Sequence, residues 1–242
     1  PPTLWHAHEM LFGFGALVAA GFLLTAAQNW TARPGLQGRL LLLSCVLWLS
    51  ARLLALFASG NVGIWGLLGC QLAWWLCVLW ALSRQLIPAQ SRNNYVFLPL
   101  LTLMALLNST VLLLANQQPL LAGLLCQSMV LLFCLLMGIV GGRVIPFFTA
   151  RTTSTQQATT PRLDRVLFWL TCVGIAVFIS NNLLFVLADA TNAMVLALRV
   201  SGATLLLCTG LLHLARLGFW SNGQVLRHPL LWSLHGAYLA MA

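Results

Sequence analysis

A bundle of membrane-crossing α-helices is the fold this sequence predicts, and three observations predict it. Hydrophobic residues make up 60% of the 242 residues and charged residues only 6%, with a mean hydropathy of +0.92, well past the apolar share of a soluble domain. The apolar residues fall in successive runs of roughly 20, the length that crosses a hydrocarbon core about 30 Å thick. Backbone polar groups find no water there, so single runs of this length are helices rather than barrel strands. The expectation is an all-α polytopic bundle forming a single transmembrane domain over residues 1–242, with seven complete spans and part of an eighth.

In chain order the spans read Leu4–Ala27, Arg39–Ala58, Val62–Ser83, Tyr95–Ala115, Pro119–Val140, Leu163–Leu187 and Asn192–Arg216, with an eighth beginning near Pro229. Polar connections bound each of them. Those after the first, third, fifth and seventh spans carry Arg33, Arg39, Arg84, Arg92, Arg143, Arg151, Arg162, Arg165, Arg216 and Arg227. The connections around Ser59–Asn61, Asn116–Gln118 and Ala188–Thr191 carry no arginine. Under the positive-inside rule the arginine-rich ends are cytoplasmic, and the start of the first span is outer-facing. The longest connection, residues 147–162, is rich in threonine, with Pro146 ending the fifth helix ahead of it, and reads as a cytoplasmic loop.

The formal charge of +9 comes from twelve arginines and no lysine, against Glu9, Asp164 and Asp189. Because the arginines punctuate apolar runs, they read as membrane anchors and not as a nucleic-acid footprint. The seven cysteines fall inside apolar runs without a CxxC pair and read as buried small hydrophobes. The opening on Pro1-Pro2 in place of methionine, and the stop at Ala242 within a new apolar run, predict a piece of a longer protein truncated at both ends. There is no Walker loop, no dinucleotide-binding GxGxxG, no GxSxG and no HExxH, which removes nucleotide-driven pumps and the commonest hydrolases.

Chemistry concentrates where ionisable groups enter hydrocarbon, since such groups are costly there and tend to be functional. Trp5-His6-Ala7-His8-Glu9-Met10 puts two imidazoles, a carboxylate and a thioether at the mouth of the first span. On a regular helix His6, Glu9 and Met10 share one face and His8 points about 200° away; on an extended start both histidines point the same way. Imidazole and thioether together suit copper, so His6, His8, Glu9 and Met10 form a candidate metal set, set against helix capping and headgroup contact. Arg52 and Arg199 break the topological pattern, each ~10 Å inside the outer boundary near the depth of Glu9. They either hold an anionic group such as a haem propionate, or neutralise Glu9, or snorkel to headgroups.

A second cluster lies towards the other face. His213 and His235 fall at similar depth on consecutive antiparallel spans, the arrangement a bis-histidine haem site needs. Span five carries Cys126, Met129, Cys134 and Met137 on one face, a sulfur stripe that suits passing copper but reads first as packing, and runs into Gly141-Gly142-Arg143, where Arg143 either anchors the span or clamps a ligand.

The segments Leu4-Trp5-His6-Ala7-His8-Glu9-Met10-Leu11-Phe12-Gly13-Phe14, Gly21-Phe22-Leu23-Leu24-Thr25 with Asn29-Trp30-Thr31, Gly141-Gly142-Arg143-Val144-Ile145-Pro146-Phe147-Phe148-Thr149, and Pro229-Leu230-Leu231-Trp232-Ser233-Leu234-His235 together resemble the NnrS family of bacterial inner-membrane proteins linked to nitric oxide metabolism and nitrosative stress. The resemblance runs the length of the chain in the family's order. It implies a fold of about twelve spans, so that this chain lacks some at each end, and it implies haem and copper as cofactors. The leading expectation is therefore a haem- and copper-binding inner-membrane protein of nitric oxide metabolism or nitrosative-stress protection, with membrane lipid and nitric oxide or a related small molecule as partners and His6 and His8 on the periplasmic side. Whether it turns nitric oxide over stays open. The alternative is a membrane transporter or metal-delivery protein without redox turnover.

Overall fold

The computed structural model describes residues 2–57, 60–187 and 193–242, and among these the chain is helical almost throughout, with no strand. Eight helices follow in order: α1 (Pro2–Thr31), α2 (Gly38–Phe57), α3 (Gly60–Leu86), α4 (Phe97–Leu114), α5 (Pro119–Thr153), α6 (Pro161–Leu187), α7 (Ala193–Trp220) and α8 (Pro229–Met241). The first seven contain runs long and apolar enough to cross a membrane, which bears out the all-α polytopic fold. Of the expected boundaries, Ala58, Ser59, Asn192 and the whole connection Ala188–Thr191 with Asp189 lie outside the described residues.

Two features differ from the reading of the sequence. The first concerns α1, which is not a uniform helix: Pro2–His8 is α-helical, Glu9–Gly15 is π-helical, and Ala16–Thr31 is α-helical again. The wider π turn changes which residues share a face. The second concerns Pro146, which does not end its helix; α5 continues to Thr153, so the connection to α6 is only the stretch 154–160. Proline removes one backbone donor at a cost of about 3 kcal/mol, and packing overrides it here. Ile145 just before the proline, and Thr149 and Thr153 after it, are buried. The two threonine hydroxyls donate back to Ile145 O at 2.8 Å and Thr149 O at 2.7 Å, so burying them strands no polar group.

The chain divides into two compact units, one ending at Met129 and the other starting at Val130. In the first, α3 is the central element, packing against α1, α2 and α4. Its core is built from Phe12 and Leu23 of α1, Trp75, Leu82 and Leu86 of α3, and Phe97, Leu101 and Met104 around α4. Helix α2 turns most of its leucines outward and buries little besides Ser44 and Ala51, the pattern of a helix facing lipid. At the arginine-rich end, Thr31 Oγ1 closes α1 on Ala27 O at 2.6 Å, and Ala32, at φ 53°, turns the chain towards α2.

In the second unit α6 packs along α7, and α8 returns against α7 over a core of Ile145, Leu217, Trp220 and Tyr238. Small residues set the closeness of this packing. A Cβ on Gly141 would stand 2.9 Å from the Tyr238 ring, and one on Gly138 would stand 3.0 Å from Cε1 of His213. Cys126 and Met129 of α5 are buried while Met137 is exposed, the mixed burial of a packing helix. Gly141→Ala should lower stability by about 1–3 kcal/mol through overpacking against a ring that cannot swing away. Thermal unfolding in detergent reads this, and an unchanged midpoint would show that α8 is not held by this approach.

Candidate functional site

Each unit has one polar centre. In the first, the π turn brings His8 and Glu9 inward together: His8 is buried and Glu9 half-buried, while His6 and Met10 are exposed. The shared face expected for His6, Glu9 and Met10 is therefore not formed, because the wider turn pairs Glu9 with its neighbour His8. His8 Nδ1 hydrogen-bonds Glu9 Oε1 at 3.0 Å and Nε2 hydrogen-bonds Asn108 Oδ1 at 2.9 Å. The Asn108 amide in turn donates to Gln71 Oε1. The ring stacks at a tilt on Phe12, with centroids 5.2 Å apart. From α2, Arg52 Nη1 donates to Glu9 Oε2 in an ion pair whose side chains are 12% and 17% exposed.

Gly13 makes this pair possible. A Cβ there would collide with the Arg52 guanidinium, and would lie 3.4 Å from Glu9 Oε2. One turn before Arg52 on the same helix, Trp48 donates to Gly13 O at 3.0 Å, and its ring lies 5.7 Å from the guanidinium carbon. Of the three fates open to Arg52, the structure gives neutralisation of Glu9. The chain Arg52–Glu9–His8–Asn108–Gln71 is thus a continuous buried polar network across four helices. A cavity of about 310 Å³ lies beside it, lined by Trp5, His8 and Glu9 together with Leu54, Ile64 and Asn116.

The second centre gathers around Arg216, a residue that reads from the sequence as one more anchoring arginine. It is 5% exposed. Its guanidinium meets Asp164 Oδ1 at 2.8 Å, donates to Gly138 O at 2.9 Å and to Tyr238 Oη at 3.1 Å, and lies 4.7 Å from the Trp220 ring centroid. It rests on Gly142, where a Cβ would collide with it. Tyr238 Oη also bonds His213 Nδ1 at 2.6 Å. Since the hydroxyl accepts from Arg216, it is best satisfied by donating its own proton to Nδ1, which leaves the proton of the neutral His213 ring on Nε2.

His235 has the opposite arrangement. Its Nδ1 faces Leu231 O at 2.8 Å and must donate to it, which leaves Nε2 as the bare lone pair. That nitrogen is buried without a hydrogen-bond partner, in a side chain on a residue 7% exposed. The residue of α8 that meets His213 is Tyr238, so the two imidazoles do not present matching lone pairs to one ligand. Arg143 and Arg199 are exposed, and His228 sits half-buried in the turn before α8.

For a metal, the set His6, His8, Glu9 and Met10 does not fit: two members point outward, and both nitrogens of His8 are committed to oxygen partners. Among the described residues no group of three His, Cys, Asp or Glu side chains is placed to hold an ion. Asn108, Gln71, Arg216, Asp164 and Tyr238 escaped the sequence reading. The weak signal for the first two was an amide inside each of two apolar spans; for Arg216 it was a histidine three residues before it on the same helix face.

Glu9→Gln should cost about 3–5 kcal/mol, because it leaves the Arg52 guanidinium buried without its counter-charge, while Glu9→Gln combined with Arg52→Met should cost less than the sum of the two single changes. A thermal-unfolding cycle in detergent checks it; simple additivity would mean that the pair is not coupled.

Neither curated proteins nor solved structures gave a match to this chain. The family model described as NnrS protein matches residues 1–242, and the chain therefore belongs to the NnrS family.

Proposed function

We propose that this chain is the haem-holding part of an inner-membrane protein that handles nitric oxide, with His235 as an axial ligand. The family's association with haem and nitric oxide supplies the prior, and the observation that carries the reading is the buried, unpartnered Nε2 of His235. An imidazole ligates iron through a deprotonated nitrogen while the other ring N–H is held by an acceptor. Donation from Nδ1 to Leu231 O supplies that orientation here, and the helix itself provides the acceptor. A bound haem would supply an iron centre able to take a small neutral gas that partitions into the apolar bundle.

The other groups divide according to what already occupies them. His213, protonated on Nε2 and held on Nδ1 by Tyr238, is a poor second ligand. Arg52 is committed to Glu9 and is unsuited to a propionate; the expectation for Arg143 and Arg199 stays a proposal that rests on their charge alone. Copper has no support from the residues present, and no part of this reading passes through it. The arginine-rich ends are taken as cytoplasmic, which puts the His8–Glu9 centre towards the periplasm.

The test is an optical spectrum of the purified full-length protein. A Soret band is expected in the wild type, lost in His235→Ala and kept in His213→Ala. A wild type without the band would end the haem reading, and loss of the band in His213→Ala alone would move the ligand to the other histidine. Nitric oxide consumption by reconstituted vesicles, compared with nitrosylation without turnover, separates an enzyme from a binder or protector.

A further inference from the structure

The end of the first unit opposite to its His8–Glu9 centre carries a second cavity, of about 300 Å³, which the function above does not use. It is formed by the turn between α1 and α2 and by the last turns of α3, and its walls include Arg33, Leu36, Leu40, Trp80 and Arg84. Its place is the edge of the apolar zone: the candidate spans on its three sides end at Thr31, begin at Gly38 and end at Leu86.

The backbone at Arg33 and the side chain of Arg84 are each held in place, at the exposed rim of the cavity. The buried Gln85 side chain donates to Leu24 O at 3.2 Å and to Arg33 O at 3.5 Å, which pins the turn at Arg33 to the end of the bundle. Arg84 lies over the Trp80 ring, 4.8 Å from its centroid, a cation–π contact that holds the long side chain over the cavity wall. Neither cation has an acidic partner among the described residues. The two described carboxylates are spent elsewhere, Glu9 on Arg52 and Asp164 on Arg216. Two arginines on one cavity, without an acidic partner among the described residues and above leucine and tryptophan walls at the edge of the apolar spans, have the chemistry of a site for an anion attached to something apolar. Fork-shaped guanidinium donors match phosphate oxygens in particular.

We propose that this cavity binds the phosphate group of an anionic phospholipid, with Arg33 and Arg84 as its donors and with Leu36, Leu40 and Trp80 against the glycerol and upper acyl region. Basic pockets between helices at a membrane surface are suited to such headgroups. The volume lies at the lower end of the range for small-ligand sites, which suits a compact phosphoglycerol headgroup. The proposal is independent of the haem reading, since it concerns different residues of the other unit.

Native mass spectrometry of the full-length protein, offered phosphatidylglycerol and phosphatidylcholine in equal amounts, tests it. Preferential retention of phosphatidylglycerol is expected, falling about fivefold for each of Arg33→Gln and Arg84→Gln, and unchanged in Arg39→Gln, which alters an arginine at the start of α2 outside the cavity walls. Trp80→Leu leaves the charge intact and should lower the preference about two- to fivefold by releasing Arg84. Addition of inorganic phosphate distinguishes the source: displacement of the lipid assigns the site to free phosphate as well, and no displacement assigns it to lipid alone. Equal retention of the two lipids by the wild type, an unchanged preference in the Arg33→Gln/Arg84→Gln double variant, or an equal loss in Arg39→Gln would overturn the proposal. The thermal midpoint of each variant in the same detergent separates lost binding from lost folding.

Discussion

A charge carried into hydrocarbon must be neutralised there, and this chain has three carboxylates to set against twelve arginines. The two carboxylates among the described residues each take one buried guanidinium, Glu9 that of Arg52 and Asp164 that of Arg216. Both arginines are seated by the same device. Each lies against a glycine of a neighbouring helix, Gly13 or Gly142, where a Cβ would collide with it. Each also has a tryptophan one turn away on its own helix, Trp48 before Arg52 and Trp220 after Arg216, within 5.7 and 4.7 Å. The missing side chain makes room for the guanidinium, and the indole lies over it. The polar side chains around them are ordered by these two cations: His8, Asn108 and Gln71 extend from Glu9, while Tyr238 and His213 extend from Arg216.

That economy also explains the surface. With both described acids taken by Arg52 and Arg216, Arg33 and Arg84 have no acidic partner among the described residues, which is the ground on which a lipid headgroup is proposed for them.

The fold was legible in the sequence because crossing length and apolar content are sums over many residues, and the spans recovered from them differ from the structure mainly at their ends. The sites were less legible, because they depend on direction. His6, Glu9 and Met10 share a face on a regular helix, and nothing in Glu9–Gly15 announces that this stretch is π-helical; once it is, Glu9 turns to His8 and Arg52, leaving His6 and Met10 outside. Depth put both Arg52 and Arg199 level with Glu9 and left neutralisation as one of three fates; only the structure pairs Glu9 with Arg52. Arg216 was hidden by the rule that made the topology readable, since an arginine at the end of a span looks like an anchor whether it faces water or Asp164. Pro146 misled in the opposite way: a strong local signal to stop was overridden by the burial of Ile145 before it and of Thr149 and Thr153 beyond it.

The histidines show how far residue type falls short of chemistry. Four of the five sit in or at the mouth of apolar helices, and by composition they are equivalent candidates for a metal. Their neighbours' protons separate them. His8 has an oxygen at each nitrogen; His213 accepts at Nδ1 from a tyrosine that is itself held by Arg216; His6 is outside; and His235 donates at Nδ1 to a carbonyl of its own helix. The last arrangement needs no partner beyond the preceding turn, and in the neutral ring it leaves the lone pair on the far nitrogen. A buried lone pair without a donor costs stability of the order of 1–3 kcal/mol, a cost that a coordinate bond would remove. His235 is therefore the position where binding a ligand relieves an existing deficit, whereas binding at His8 or His213 would first have to break hydrogen bonds that are already satisfied.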